Sequence, residues 1–149
     1  MSNMSNKTMP LLSGIDHCHI NVNNLSNAVA WYEKVLGFKV VEELAFWDET
    51  GKGPLTLQDQ NTITRLALFE GQVRSKGIAF GATGEQFIAW LAHFKSMDIK
   101  TVLADHGVTF SIYFKDDSDN SHEITSHDYE HIKMFYPSVE QGSHSAKKS

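Results

Sequence analysis

Alternating polar and apolar positions predict a strand near the start of the chain. In residues 15–22 the polar side chains of His17, His19 and Asn21 fall on one strand face. The apolar face carries Cys18, Ile20 and Val22. This pattern indicates a strand that packs one face against a helix and leaves the histidines on the other face.

The next segment has helical spacing and is followed by strand-like stretches. Apolar residues recur at helical spacing over residues 26–36, where Ser26 is a candidate N-cap and Gly37 suits a left-handed stop. Residues 38–47, 55–58 and 62–69 are rich in strand formers, and a turn-like segment, 48–54, separates the first two. The predicted order is strand, helix, then three strands.

The second half of the chain repeats this order. Residues 77–82 form a short apolar strand, and Thr83 with Gln86 three residues later forms a capping box for a helix that ends near Met97. Three more strands are predicted at 102–103, 108–115 and 122–126. We therefore expect a tail at 1–13, one domain of two βαβββ units at 14–71 and 75–129, and a C-terminal extension at 130–149 with a disordered end.

Composition narrows the possible partners and setting. The formal net charge is −5 and the sequence pI is about 5.9, so no basic surface for nucleic acid is expected. A hydrophobic content of 41% is ample for a packed interior. Cys18 is the single cysteine, and no apolar run reaches the length of a membrane span. We expect a cytoplasmic protein that does not associate with membranes.

Specific residues add a family resemblance to this pattern. Asp16-His17 precedes Val22, and Trp31-Tyr32 precedes Val35-Leu36-Gly37-Phe38. The second half contributes Gly77-Ile78-Ala79-Phe80, Tyr113-Phe114 and the turn that leads to Glu123. The chain thereby resembles the vicinal oxygen chelate superfamily, which includes glyoxalase I, extradiol dioxygenases, bleomycin resistance proteins and, nearest in layout, fosfomycin resistance proteins.

The resemblance implies a fold and a metal site. The expected fold is α+β, with paired βαβββ modules that form a cupped mixed sheet and hold a divalent metal ion, such as Ni, Mn, Zn or Fe. His17 and Glu123 occupy the positions of the first and last metal ligands of the family. The position of the middle histidine is Gly77, so the expected set of three ligands is incomplete.

Three interpretations of this gap stay open. In the first, His19 supplies the missing nitrogen from the same strand face as His17. In the second, His122 or His127 reaches the site, although His122 points away from Glu123 on an alternating strand. In the third, the site holds no metal and binds an organic ligand, as in the bleomycin-resistance branch.

Strand parity and the resemblance together nominate further site residues. Tyr113 occupies the place of a substrate-contacting tyrosine in fosfomycin-type members, and Lys115 shares its strand face. His19 matches a polar position beside the metal ligand in that branch and is a candidate acid or base. Glu123 is the second catalytic candidate, and Trp47 is a candidate ligand contact. By contrast, we expect His106, His131 and His144 to be surface or tail residues.

Two classes of function follow. The first is a divalent-metal-dependent lyase or dioxygenase-like enzyme that acts on a small oxygenated substrate. The second is a metal-free protein that binds and sequesters a small molecule. The resemblance also implies a homodimer.

Overall fold

The structure, a computed structural model, describes residues 9–141 and contains two four-stranded sheets of equal layout. Residues 1–8 of the predicted tail and residues 142–149 of the predicted extension lie outside the described residues. Residues 9–13 are exposed and belong to no helix or strand. Within the described residues, no helix is long and apolar enough to cross a membrane.

Sheet A is formed by the first half of the chain, in the order β1-β4-β3-β2. Its strands are β1 (Cys18–Val22), β2 (Lys39–Val40), β3 (Leu55–Gln58) and β4 (Arg65–Glu70). β1 pairs with β4 in parallel, and the other pairs are antiparallel. Helix α1 (Leu25–Trp31) continues into a π-helical turn (Tyr32–Leu36), which ends at Gly37 in the left-handed region with φ 77°.

Sheet B repeats the arrangement in the second half, in the order β5-β8-β7-β6. Its strands are β5 (Ala79–Gly81), β6 (Val102–Asp105), β7 (Phe110–Lys115) and β8 (Ser121–Ser126), and helix α2 (Gly84–Ser96) follows β5. β5 pairs with β8 in parallel, as β1 does with β4. The predicted α+β fold of two βαβββ modules is confirmed.

Buried residues of both modules form one hydrophobic core. Trp31 and Tyr32, from the first module, reach β7 and β8 of the second, with Trp31 stacked on Phe114 at a centroid distance of 6.4 Å. The same Phe114 ring lies 4.7 Å from Phe94 of α2. Ile20 and Ile124 contribute to the same core from the two parallel strand pairs. Each sheet therefore has one face on this core and an outer face that points away from it.

Two local predictions are wrong. The predicted strand at residues 38–47 ends at Val40, and residues 42–47 form a 3-10 helix (Glu42–Trp47). Because β2 is at the edge of sheet A, it pairs with one neighbour only, and few backbone hydrogen bonds hold the chain in strand geometry. The N-cap of α1 is Asn24 and not Ser26, since the Asn24 side chain accepts a hydrogen bond from the Asn27 backbone N–H.

A helix near the end of the chain was not predicted. The predicted extension from residue 130 contains helix α3 (Tyr129–Phe135). Ile132 is fully buried, and the Tyr129 ring stacks on Phe110 at 5.2 Å. Lys133 Nζ lies 2.9 Å from the buried Asp105 carboxylate, so α3 is held against sheet B by apolar and polar contacts.

Candidate functional site

The outer face of sheet A carries the two candidate histidines. His17 lies directly before β1, and His19 lies on β1 opposite Ala67 of β4. Both side chains line a cavity of about 280 Å³. The other residues that line this cavity are Asp16, Leu44, Trp47, Pro54, Thr56, Arg65 and Ala67. The structure thus brings His17, His19 and Trp47 to one cavity.

The two imidazole rings are stacked and their nitrogens converge. The ring centroids of His17 and His19 lie 4.9 Å apart, and the Nε2 atoms lie 3.0 Å apart. The Nδ1 atom of His17 lies 2.8 Å from the Asp16 carboxylate, to which it donates a hydrogen bond. On its far side, the His19 ring contacts Phe69 edge-on at 5.1 Å.

Arg65 is a site residue that the sequence analysis missed. Its side chain is half-buried, lines the same cavity, and has no hydrogen-bond or ion-pair partner among residues 9–141. Its position could have been found from parity, because Leu66 and Leu68 of the same strand are fully buried in the core. A half-buried guanidinium without a carboxylate partner favours an anionic ligand.

The outer face of sheet B carries the second group of candidates. Glu123 is half-buried, and its Oε2 accepts a hydrogen bond of 2.9 Å from the Ser111 hydroxyl. Tyr113 lies directly opposite Glu123 in the register of β7 and β8. Lys115 is one alternation further along the same face and is exposed. The expected parity of Glu123, Tyr113 and Lys115 is therefore observed.

His106 corrects one expectation about this face. It was expected at the surface, but the residue is half-buried and its Nε2 lies 3.0 Å from the Tyr113 hydroxyl. The prediction was wrong because residues 105–109 form a tight connection between β6 and β7, which turns His106 towards the neighbouring strand. The contact with His106 therefore orients the Tyr113 hydroxyl.

The two groups lie on separate outer faces of one chain. His19 alternates with the core residues Ile20 and Val22, and Glu123 alternates with His122 and Ile124, which are also buried. Both sheets contribute to the same core, and His19 and Glu123 lie on the faces of their sheets that are turned away from it. Within the described residues, no group of three or more His, Cys, Asp and Glu residues is close enough to hold a metal ion.

Gly77 has a backbone conformation that excludes a side chain. Its φ is +119°, and a Cβ atom built there would lie 1.9 Å from the Ser121 carbonyl oxygen. A histidine therefore does not fit at this position without displacement of the start of β8. In this chain the backbone, and not the side chain alone, therefore excludes a histidine at position 77.

Behind Glu123, on the core side of β8, a buried polar network joins the two modules. The Tyr32 hydroxyl donates to Asp116 at 2.7 Å and lies 2.8 Å from His122 Nε2. The Ile78 backbone N–H donates to His122 Nδ1, so Nε2 carries the proton and donates to Tyr32. His122 is thus committed to the core, which excludes it as the missing ligand.

The network shifts two pKa values in opposite directions. Burial alone would raise the pKa of Asp116, but the nearby His122 imidazole, the Tyr32 hydroxyl and the Asn120 amide outweigh it and lower that pKa to about 2. Burial, together with the negative charge of Asp116, raises the pKa of Tyr32 far above its ordinary value. Asp116 is therefore ionised and Tyr32 neutral at physiological pH.

Comparison with protein families settles the membership of the chain. The model of the Glyoxalase/Bleomycin resistance protein/Dioxygenase superfamily matches residues 14–124. The chain belongs to this superfamily. The match spans both modules, and the expected family is confirmed. No curated protein sequence matches the chain at a significant level.

Solved structures share the fold of this superfamily member. Lactoylglutathione lyase from Agrobacterium tumefaciens is 20% identical with a TM-score of 0.66, and the alignment covers 80% of this chain and 97% of that one. FosX, the genomically encoded fosfomycin resistance protein from Listeria monocytogenes, is 17% identical with a TM-score of 0.62, and the alignment covers 80% of this chain and 93% of FosX. The structure of FosX in complex with Mn(II) and sulfate aligns with 18% identity and a TM-score of 0.58, and the alignment covers 85% of this chain and 99% of that one.

Proposed function

We propose that the protein is a homodimeric, divalent-metal-dependent enzyme of the lyase or dioxygenase type that acts on a small, anionic, oxygenated substrate. The observation that carries this proposal is that two complementary polar groups lie on the outer faces of two different sheets. The outer face of sheet A offers imidazoles and a guanidinium, and the outer face of sheet B offers a carboxylate and a phenol. A second copy brings the two kinds of face together.

The edges of the sheets support this assembly. β1 and β5 are both edge strands, and His17 and Glu123 lie next to them, at the start of β1 and on β8 beside β5. A two-fold dimer that places β1 of one copy beside β5 of the other forms two identical cups. Each cup then contains His17 from one copy and Glu123 from its partner. FosX from Listeria monocytogenes, a protein of this fold, binds Mn(II).

The donor chemistry of the chain suits a divalent ion. His17 and Glu123 would hold the ion, since imidazole and carboxylate together bind Mn, Fe, Ni and Zn. When bound, such an ion polarises a carbonyl or stabilises a developing enolate or alkoxide. Ser111 orients the Glu123 carboxylate by its hydrogen bond.

Other side chains would bind and orient the substrate. Arg65 is placed to bind an anionic group of the substrate by charge-assisted hydrogen bonds. The Tyr113 hydroxyl, held by His106, is placed to hydrogen-bond a substrate oxygen. Trp47 would form an apolar wall, and the exposed Lys115 would add positive charge at the rim.

A subunit-mixing experiment tests the shared site. His17→Ala and Glu123→Ala chains are purified separately, unfolded and refolded together, and their manganese content is measured by elemental mass spectrometry. Because one of the two cups in a mixed dimer keeps both residues, the mixture should regain about a quarter of the wild-type metal content, whereas each variant alone should hold none. No recovery in a mixture that light scattering shows to be dimeric contradicts the proposal.

A specific observation favours a second candidate function, a metal-free protein that binds small molecules. The backbone at Gly77 excludes the side chain that the family places there, which leaves His17 and Glu123 as the only two ligands at family positions. Two protein ligands hold a divalent ion weakly. Wild-type protein that takes up no Ni, Mn, Zn or Fe when soaked with each ion would support this second function.

A further inference from the structure

We infer that a second cavity, formed by residues of both modules, binds an organic anion with an aromatic body. This cavity has a volume of about 720 Å³, a size typical of small-molecule sites. It shares Asp16, His17 and Arg65 with the cavity beside His19 and Trp47, but neither of the last two residues lines it. All of its lining residues belong to one chain. The inference therefore goes beyond the proposed function and needs neither a metal ion nor a second copy.

The walls of this cavity are largely apolar and aromatic. They come from the segment after α1, from both strands of the β5-β8 pair and its approach, and from α2, and they include Leu36, Phe38, Ile78, Phe80, Ile124 and Trp90. The Phe38 and Phe80 rings, one from each module, meet edge to face at a centroid distance of 6.1 Å. The Trp90 side chain is half-buried. Because apolar surface gains free energy when it is covered and rings pack on rings, these walls favour a ligand with an aromatic body.

Arg65 supplies an unpaired positive charge to the same cavity. Two carboxylates also line the cavity, but each is held by other donors. Asp16 accepts a hydrogen bond from His17, and Asp59 accepts from the backbone N–H groups of residues 63 and 64 at 2.8 and 2.9 Å. Among residues 9–141, Arg65 forms an ion pair with neither of them. A half-buried guanidinium in this state is satisfied best by an anionic group of a ligand.

The free edge of β5 adds backbone hydrogen-bond donors. The Ile78 carbonyl accepts a hydrogen bond from β8, and the Ala82 N–H donates one to β8. In a parallel pair, the alternate residues direct their N–H and C=O groups to the opposite side. These residues are Ala79 and Gly81, both of which line the cavity, and β5 is the edge strand of sheet B. Their N–H groups can therefore donate to oxygen atoms of a ligand.

The two kinds of surface together define the class of ligand. A small inorganic anion would satisfy the guanidinium of Arg65 but leave the aromatic walls in contact with water. A neutral hydrocarbon would cover the walls but leave the guanidinium without a partner. An aromatic carboxylate meets both requirements, because its ring covers the walls and its oxygens accept from Arg65 and from the edge of β5.

The test is a titration of the full-length, ¹⁵N-labelled protein, followed by nuclear magnetic resonance with EDTA present to remove metal ions. The anion is 2-naphthoate, and 2-naphthalenemethanol is a neutral compound of nearly equal size. Arg65→Met removes the charge and keeps an apolar stem. Gln86→Trp is designed to fill the cavity from an exposed position of α2. Ala92→Trp is its matched control, because Ala92 is an exposed position of the same helix that does not line the cavity.

The charge and the location of binding are measured first. We expect the wild type to bind 2-naphthoate at least about 10-fold more tightly than the alcohol, and Arg65→Met to lose this preference. The largest shifts should be those of the Ala79 and Gly81 amides and of the Trp90 indole. Equal affinity for the two compounds, no binding of either, or shifts confined to other residues overturns the inference.

The variants of α2 then test the cavity itself. Gln86→Trp should weaken the binding of 2-naphthoate at least about 10-fold, because the added ring occupies the space that the ligand needs. Ala92→Trp should leave the affinity unchanged. The spectrum of each variant shows whether it is folded, and wild-type affinity in a folded Gln86→Trp variant contradicts the inference.

Glu123→Ala separates this inference from the proposed function. Glu123 does not line the cavity, so this variant should bind 2-naphthoate as the wild type does, even though it should lose metal. Loss of 2-naphthoate binding in folded Glu123→Ala would assign the anion to the shared metal site and overturn the inference. Wild-type protein that takes up no metal, yet binds 2-naphthoate with the expected preference, would contradict the proposed function and support the cavity.

Discussion

At the scale of single residues, Gly77 has the most specific structural role near the site. A Cβ atom at this position would meet the Ser121 carbonyl oxygen at 1.9 Å, and the positive φ disfavours any L-residue. The close approach lets β8 begin directly beside the entry to β5. The glycine is therefore required by the backbone, whatever ligand the neighbouring side chains bind.

Substitution of this glycine should destabilise the protein strongly. We expect Gly77→Ala to lower the free energy of unfolding by about 2–4 kcal/mol, through backbone strain and the clash with Ser121. Gly81→Ala is the control, because a Cβ atom there has nothing within 4 Å. Urea denaturation of both variants measures the difference, and equal stability of the two would refute the steric argument.

Asp116 is the second residue with a measurable consequence. Its folded-state pKa, about 2, lies below its unfolded value, so ionised Asp116 stabilises the fold above about pH 4. This contribution, roughly 2 kcal/mol, should be lost as the pH falls from about 4 to 2.

The free energy of unfolding, measured as a function of pH below about 4, gives the contribution of Asp116. In Asp116→Asn, the decrease of stability between about pH 4 and 2 should be smaller than in the wild type. Asp98→Asn serves as a comparison, since Asp98 is a turn residue that makes no side-chain hydrogen bond within the described residues. An unchanged acid limb in Asp116→Asn would contradict the role given to the network.

At the scale of secondary-structure elements, helix α2 shows how closely local sequence specifies an element. The Thr83 hydroxyl accepts a hydrogen bond from the Gln86 backbone N–H, as the capping-box pattern predicts. The Gly84 N–H donates instead to Asp128, the residue that precedes α3. The second contact joins residues that are 44 positions apart, so it cannot be predicted from the local sequence.

The N-cap of α2 should be worth a measurable part of the stability. We expect Thr83→Ala to cost about 1 kcal/mol, because the Gln86 N–H loses its acceptor. Thr101→Ala, in the connection after α2, removes a hydroxyl that has no partner within the described residues and should cost less than about 0.5 kcal/mol. Chemical denaturation distinguishes the two, and an equal effect would argue against the cap.

The same contrast explains which elements could be predicted from sequence. β3 spans residues 55–58 as predicted, since its apolar residues and turn boundaries are local signals. The 3-10 helix at Glu42–Trp47 and helix α3 were missed, because both depend on how the chain meets the edge of a sheet. Similarly, parity placed Glu123 and Tyr113 on one face, whereas the contact between His106 and Tyr113 depends on a turn.

At the scale of the whole molecule, the two modules share one core. Phe114 contacts both Trp31 of the first module and Phe94 of the second. The buried network from Tyr32 to Asp116 and His122 crosses the same boundary. Neither module can therefore lose its packing without exposing the apolar face of the other, and we expect them to unfold together.

Truncation of Phe114 tests this coupling. We expect Phe114→Ala to lower the free energy of unfolding by about 3–5 kcal/mol while the transition stays single. Phe135→Ala, at an exposed position of α3, should change the stability by less than about 0.5 kcal/mol. Coincident curves from far-ultraviolet circular dichroism and tryptophan fluorescence would verify the single transition, and two separate midpoints would show that the modules unfold independently.

The backbone at Gly77 also limits how this chain could be redesigned. A histidine introduced at this position would meet the Ser121 carbonyl oxygen before its ring could reach a ligand, so the start of β8 would have to move as well. A single substitution here therefore cannot supply an imidazole, and an added ligand has to come from another position of the chain.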